Sequence, residues 1–291
     1  ITAEDMDWPI SGPDSCFKWG NDKYFFTDSD EFYIKTTYNA AMGNNAVMLF
    51  IDYLANKPEP PEPIEAVMTV TVDNDASFEF DDFGKGWVYA MKQSISKPTT
   101  ITMLADWTAE NGMFVCLDEF GDEYGSKDGY LYLDDNCNLV IDLNGHKIDR
   151  NLSEPTDDGV VFWLYDYDAK LTIKDSVGGG KITGANNTGN GGAFFVERGS
   201  LYIEGGEISG NKAANGAGIY WESRNDLYVY GGKITDNTAN TNGGGIYLTD
   251  WGNAYFGGSI VVDGNIGGTK NDNVYLSDED TFLNYAGGQN G

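Results

Sequence analysis

The chain has 291 residues, enough to bury a large core, and it carries 14% aromatic residues and 38 glycines against 8 prolines. A disordered chain would be poor in aromatics, so this one folds. Its 18 basic and 46 acidic residues leave a formal charge of −28, which disfavours nucleic-acid phosphates and anionic bilayers as partners and is compatible with life outside a cell and with weak Ca²⁺ binding.

The first 57 residues are rich in rings, with Trp8, Phe17, Trp19, Tyr24, Phe25, Phe26, Phe32 and Tyr33. The alternation from Glu31 to Tyr38 is strand-like, and the run from Ala46 to Ile51, the longest apolar one, falls far short of the roughly 20 residues of a membrane span. A small β-rich domain or flap is expected over residues 1–63, ending in the extended Pro58–Pro63 linker. No signal peptide precedes Ile1, as expected of a processed or trimmed chain, and no obvious cap closes the chain at Gly291, so continuation is expected there.

Residues 64–98 predict a leading strand over Val67 to Val72 and an amphipathic helix over Lys85 to Lys97. Asp81 and Asp82 offer N-caps, and Trp87, Ala90, Met91 and Ile95 share one face. The open end of a repeat array exposes apolar core and unpaired backbone, and this helix is the expected cap.

Repeats dominate residues 99–291. Leu201 to Asn211, Leu227 to Asn237 and Ala254 to Asn265 superpose, and the Gly-Gly pairs 205/206, 231/232 and 257/258 recur every 26 residues. Earlier copies are less regular: Ile101 to Trp107, Leu139 to Ile148, and Leu171 to Ile173 followed by an insertion that ends in Gly179-Gly180-Lys181-Ile182. Each repeat has room for two or three short strands and none for a helix. The leucine-rich-repeat pattern is missing, and a propeller blade needs about 40 residues. The expected fold is therefore all-β: a right-handed parallel β-helix in which each strand pairs with its copy one coil away. Asn211, Asn237 and Asn265 share one turn position, where stacked amides can hydrogen-bond and tolerate left-handed backbone.

The span from Val67 onward resembles the β-helix repeat regions of large surface proteins of Gram-positive gut bacteria. The residues that carry the resemblance are the Trp-containing helix, Ile101 to Ala109, Asp142 to Ile148, and the pairing of Gly-Gly-x-Ile-x-x-Asn with Gly-Gly-Gly-Ile-Tyr. It implies a bacterial cell-surface location, as part of a larger anchored or secreted protein, and an adhesin or host-interaction role. Pectate-lyase-like enzymes share the same fold, so architecture alone does not fix activity.

Alternation assigns faces. Apolar residues flank Tyr132, Trp163, Phe195, Tyr220, Tyr247 and Tyr275, at spacings of 31, 32, 25, 27 and 28 residues. These six are expected in one outward column about 24 Å long at the strand spacing. Tyr202, Tyr228 and Tyr255 form a second. Ring stacking that merely stabilises parallel strands accounts for such columns, and so does a binding face for a glycan or a protein; both readings stand at this point.

Catalytic signals are weak. His146 is the only histidine and sits in an Asn-Gly-His-Lys turn, without G-x-S-x-G nearby. Among many acid pairs, the group Asp157, Asp158, Asp166 and Asp168 is the best placed, because it flanks Trp163 and Tyr165. Arg198 and Arg224 lie one coil apart without a lyase motif around them. Cys16, Cys116 and Cys137 allow one disulfide or three reduced thiols, and no C-x-x-C pair suggests zinc. No cofactor is required; Ca²⁺ is the metal that remains open. The leading expectation is a monomeric, non-enzymatic binding module for a host glycan or host protein, an immunoglobulin included. A carbohydrate-active lyase or hydrolase and a passive stalk are the alternatives.

Overall fold

The structure, a computed structural model, describes residues 16–19, 22–25, 65–249, 253–278 and 283–286. The chain divides into two units, residues 1–62 and residues 63–291. In the first, Cys16–Trp19 pairs antiparallel with Asp22–Phe25. The expected strand from Glu31 to Tyr38, the apolar run 46–51 and the proline linker lie outside the described residues.

The second unit is a parallel β-solenoid of about five turns. Each coil visits three long sheets in order. A nine-stranded sheet holds, among others, Thr99–Met103, Asn138–Asp142, Lys170–Lys174, Ser200–Ile203, Asp226–Val229 and Asn253–Gly257. A six-stranded sheet runs from Trp107–Thr108 through Lys147–Asp149, Lys181–Thr183, Glu207–Ser209 and Lys233–Thr235 to Val261–Asp263. A seven-stranded sheet, called here the aromatic sheet, contains Tyr130–Leu133, Phe162–Leu164, Phe194–Val196, Ile219–Trp221, Ile246–Leu248 and Val274–Leu276. A short fourth sheet, Lys212–Asn215, Thr238–Asn242 and Ile266–Gly267 with Lys270–Asn271, occupies one corner of the later coils.

Register follows the repeat. Leu139, Leu171, Leu201, Leu227 and Ala254 are partners in successive strands, as are Ile148, Ile182, Ile208 and Ile234. All nine are buried. A one-residue slip would expose each ladder, at about 1.5–3 kcal/mol per large apolar side chain, so the apolar pattern locks the register.

The Gly-Gly pair has two separate causes. Gly232 lies at φ +80, a region L side chains rarely adopt. Gly231 has ordinary backbone, but a Cβ there would come within 2.2 Å of the Glu204 carbonyl on the coil below. The asparagine ladder forms as its position suggests: Asn211 Nδ2 donates to Asn237 Oδ1 and Asn237 Nδ2 to Asn265 Oδ1, each at 3.0 Å, with all three side chains fully buried. The left-handed conformation expected of these asparagines falls instead on the residue before each one: Gly210, Asp236 and Gly264 have φ of 71, 55 and 67.

The helix α1 spans Phe83–Ser94, with the Asp82 carboxylate accepting the Lys85 N–H at 2.7 Å. It buries Trp87, Val88, Ala90 and Met91. The Trp87 ring lies 6.0 Å from Trp107 and 6.2 Å from Phe162, and its indole N–H donates to the Gly125 carbonyl at 2.7 Å. Ile95, expected on the same buried face, is 44% exposed because it is the C-cap, past the last helical turn. Before the helix, Met68–Val72 pairs antiparallel on both sides, with Thr99–Met103 and with Ala76–Phe80. The latter pairing makes a hairpin that the sequence reading missed. Its turn signal is Asp73-Asn74, both left-handed, with φ of 55 and 57.

Candidate functional site

The six aromatic residues of the first column are in register: Tyr132 opposite Trp163, Trp163 opposite Phe195, Phe195 opposite Tyr220, Tyr220 opposite Tyr247, and Tyr247 opposite Tyr275. Five are half-buried. Tyr220, expected at the outer surface like the rest, is only 9% exposed, because Phe195 and Tyr247 cover it from the coils on either side.

Ring geometry changes along the column. At its C-terminal end the rings stack: Tyr220 on Tyr247 and Tyr247 on Tyr275 are each 5.0 Å apart, inclined by 22° and 29°. Tyr202, Tyr228 and Tyr255 on the nine-stranded sheet stack still more closely, at 4.5 and 5.0 Å with inclinations of 14° and 12°. Lys170 Nζ sits 4.5 Å over the remaining face of Tyr202. Such rings offer solvent their edges and hydroxyls, since their faces are occupied by each other. At the N-terminal end the rings cross. Tyr132 meets Trp163 at 89°, Trp163 meets Phe195 at 50°, and Phe195 meets Tyr220 at 58°. Tyr130, which the alternation did not place in the column, adds a buried ring 5.2 Å from Trp163.

A half-open recess of about 230 Å³ lies at this crossed end. Trp163, Phe195 and Val160 form its apolar wall, and Asp157, Asp158, Asn187, Thr188, Gly189 and Asn190 its polar one. The polar wall is built from the corner loops of two successive coils. The Thr156 N–H donates to the Asn186 carbonyl at 3.0 Å, the Asn186 N–H to the Gly159 carbonyl at 3.1 Å, and the Thr188 N–H to the Thr156 carbonyl at 3.0 Å. Gly159 has to be glycine, since a Cβ would meet the Asn186 carbonyl at 2.4 Å. Isolated bridges Asn186 to Lys212 and Asn190 to Asn215 join these loops to the short fourth sheet. The recess therefore sits where that sheet loses its regularity.

The donors and acceptors of the recess divide into used and unused. Asn187 is buried and committed, donating to the Asn190 and Gly191 carbonyls and accepting from Gly159 and Gly189. The Thr188 hydroxyl donates to Asp157. Asn190 accepts from Asn215 through its side-chain oxygen at 3.0 Å, and its amide nitrogen donates to no acceptor among the described residues. The Trp163 indole N–H is buried and likewise makes no hydrogen bond among the described residues.

Of the four acids singled out by sequence, Asp157 and Asp158 line the recess. Asp166 does not; it shapes a turn by accepting the Asp168 N–H at 2.8 Å. A second row of acids was missed. Asp134, Glu197 and Glu222 each stand two residues after a column ring, on the same outer face. Burial and then Asp135 raise the Asp134 carboxyl above its ordinary range; burial and then Glu197 raise Glu222. Coil register puts Glu197 and Glu222 on adjacent coils, with Asp134 two coils before Glu197.

Arg198 is held over Tyr165 at 4.5 Å and Tyr167 at 4.9 Å, with Glu197 at 3.8 Å. His146 Nδ1 lies 3.4 Å from Asp106 in its turn. Cys116 and Cys137 are buried free thiols whose ionisation burial pushes up to about 12, so neither is a nucleophile or thiolate ligand at neutral pH. Among the described residues no three His, Cys, Asp or Glu side chains are grouped to hold a metal ion, and no helix is long and apolar enough to cross a membrane.

No protein-family model matches the chain, and neither does any curated protein or solved structure. The chain is a parallel β-helix repeat protein.

Proposed function

We propose that this solenoid is a non-enzymatic binding module of a bacterial surface protein, and that the recess at Trp163 holds one ring of a host glycan. The observation that carries the reading is the crossed ring packing at Trp163 and Phe195, beside a wall of carboxylate, hydroxyl and amide groups. An apolar floor with a few convergent polar groups is the usual make-up of a small-ligand site. Indole suits the C–H face of a sugar, and the wall suits its hydroxyls. At about 230 Å³ the recess is smaller than the ~300–1,000 Å³ clefts that enclose drug-sized ligands, which fits a single ring of a longer chain. In this reading α1 serves the scaffold as its N-terminal cap, through Trp87 against Trp107 and Phe162.

The test is titration of residues 63–291 within the full chain against a panel of host and plant glycans and serum proteins, immunoglobulin among them. Trp163→Ala and Tyr247→Ala run beside the parent. The expected result is saturable glycan binding, weakened at least about tenfold by Trp163→Ala and unchanged by Tyr247→Ala. Protein binding that survives Trp163→Ala would overturn the assignment, as would cleavage of a glycan in the same wells. Silence across the panel would leave the stalk reading.

A further inference from the structure

We infer that the recess selects its sugar by charge, taking an ammonium-bearing hexosamine unit ahead of a neutral one and excluding uronic and sialic acids. This rests on the reading above that the recess binds a sugar ring, and it adds the chemistry that discriminates between sugars.

Two of the lining side chains, Asp157 and Asp158, are acidic and exposed, and no lining residue is basic. Three cations near the recess are committed elsewhere. Arg150 lies behind the wall, 1% exposed, donating to the Val160 carbonyl at 3.2 Å and the Asp128 carbonyl at 3.1 Å. It softens the field of Asp158 but cannot reach a ligand. Arg198 is clamped between Tyr165, Tyr167 and Glu197, and Lys127 lies 5.6 Å over the Tyr132 ring.

The same outer face adds Glu197 and Glu222, and the Glu222 carboxyl is raised by burial and then by the charge of Glu197. A ligand carboxylate entering the recess would meet two acids and no basic residue in the lining to pair it. An ammonium would find Asp158 as partner. The Asn190 amide N–H remains as a donor for neutral oxygens, so a neutral sugar keeps that hydrogen bond and loses only the charge attraction.

The experiment titrates four disaccharides at low and high ionic strength: the glucosamine dimer, its N-acetylated form, cellobiose and the galacturonate dimer. Three proteins are compared: the parent chain, Asp157→Asn/Asp158→Asn and Trp163→Ala. Asparagine suits position 158, which lies at φ +61, and thermal unfolding confirms that each variant folds.

The inference expects the glucosamine dimer to bind about tenfold more tightly than the neutral sugars at low salt, with the preference shrinking at high salt and the galacturonate dimer not binding. It expects the double asparagine variant to level this order while still binding neutral sugars, and Trp163→Ala, which keeps every acid, to lose all binding. Equal affinity for cationic and neutral sugars overturns the inference and leaves the binding reading intact. So does an order unchanged in the asparagine variant. Glucosamine binding that survives Trp163→Ala reports only the net charge of the protein, and it overturns the inference too. If none of the four binds while the wider glycan panel does, the inference falls and the binding reading stands; if the wider panel is silent too, both fall.

Discussion

The two ends of the solenoid are built from the same strands and differ in what they leave unspent. From Ser200 onward the coils repeat every 26 to 29 residues, the tyrosines of each column stack on one another at 12° to 29°, and buried asparagines bond to one another. From Tyr130 to Gly199 the column residues are spaced by 31 and 32, the column rings cross at 50° to 89°, and irregular loops replace the short fourth sheet. Regular stacking turns tyrosine faces on one another and bonds the Asn211, Asn237 and Asn265 amides internally. Irregular stacking leaves the Trp163 ring and the Asn190 amide nitrogen in the lining of a recess. Deviations from a repeat are where a repeat protein has surface to offer.

The comparison can be broken by mutation, and the largest effect is expected at the N-terminal end. Trp87→Ala removes a fully buried indole and its hydrogen bond to Gly125, and should cost about 3–5 kcal/mol in denaturant unfolding. In the regular half, Asn237→Ala takes away the acceptor of the buried Asn211 main-chain N–H and the donor to the Ile208 carbonyl, and it breaks the side-chain ladder on both sides. A loss of about 2–4 kcal/mol is expected, several times that of an exposed asparagine. A loss under about 1 kcal/mol would mean that the ladder is ornament. Tyr228→Ala, in the middle of the second stack, should cost about 1–2 kcal/mol and leave glycan binding untouched, whereas Trp163→Ala should act mainly on binding.

The smallest effect sharpens the electrostatics. The Asp134 and Glu222 carboxyls are raised in the folded state, so the native protein holds more protons than the unfolded chain above the ordinary carboxylate range. Stability contributed by these groups therefore falls as pH rises through that range. Asp134→Asn and Glu222→Gln should each stabilise the protein at neutral pH by less than about 1 kcal/mol, because both side chains are exposed. The gain should vanish below about pH 4. Unfolding curves of parent and variants across that range give the sign directly, and a gain that grew on acidification would refute the assignment.

Much of the scaffold was legible because a coil repeats its reasons. Apolar residues on either side of Tyr132, Trp163, Phe195, Tyr220, Tyr247 and Tyr275 fixed both face and register, and the six fell opposite one another. Gly231 and Gly232 announced a turn that no other residue could make there. The burial of Tyr220 was not legible, since it depends on how tightly its neighbours pack rather than on which way it points. The recess was half-visible: Asp157, Asp158 and Trp163 stood out. Asn187, Thr188 and Asn190 come from the next coil through loop contacts without a period. The acid row of Asp134, Glu197 and Glu222 follows from a rule already in use, counting two residues past each ring, and could have been found that way.

The central claim is that the crossed rings, and not the stacked ones, meet the ligand. The most direct measurement is the indole N–H spectrum of ¹⁵N-labelled protein during titration with the glycan that binds. The Trp163 signal, assigned by its absence in Trp163→Ala, should move saturably while the signal of buried Trp221, on the inner face of the same sheet, stays in place. Saturable binding with a stationary Trp163 signal would contradict the account and send the search for the site elsewhere on the chain.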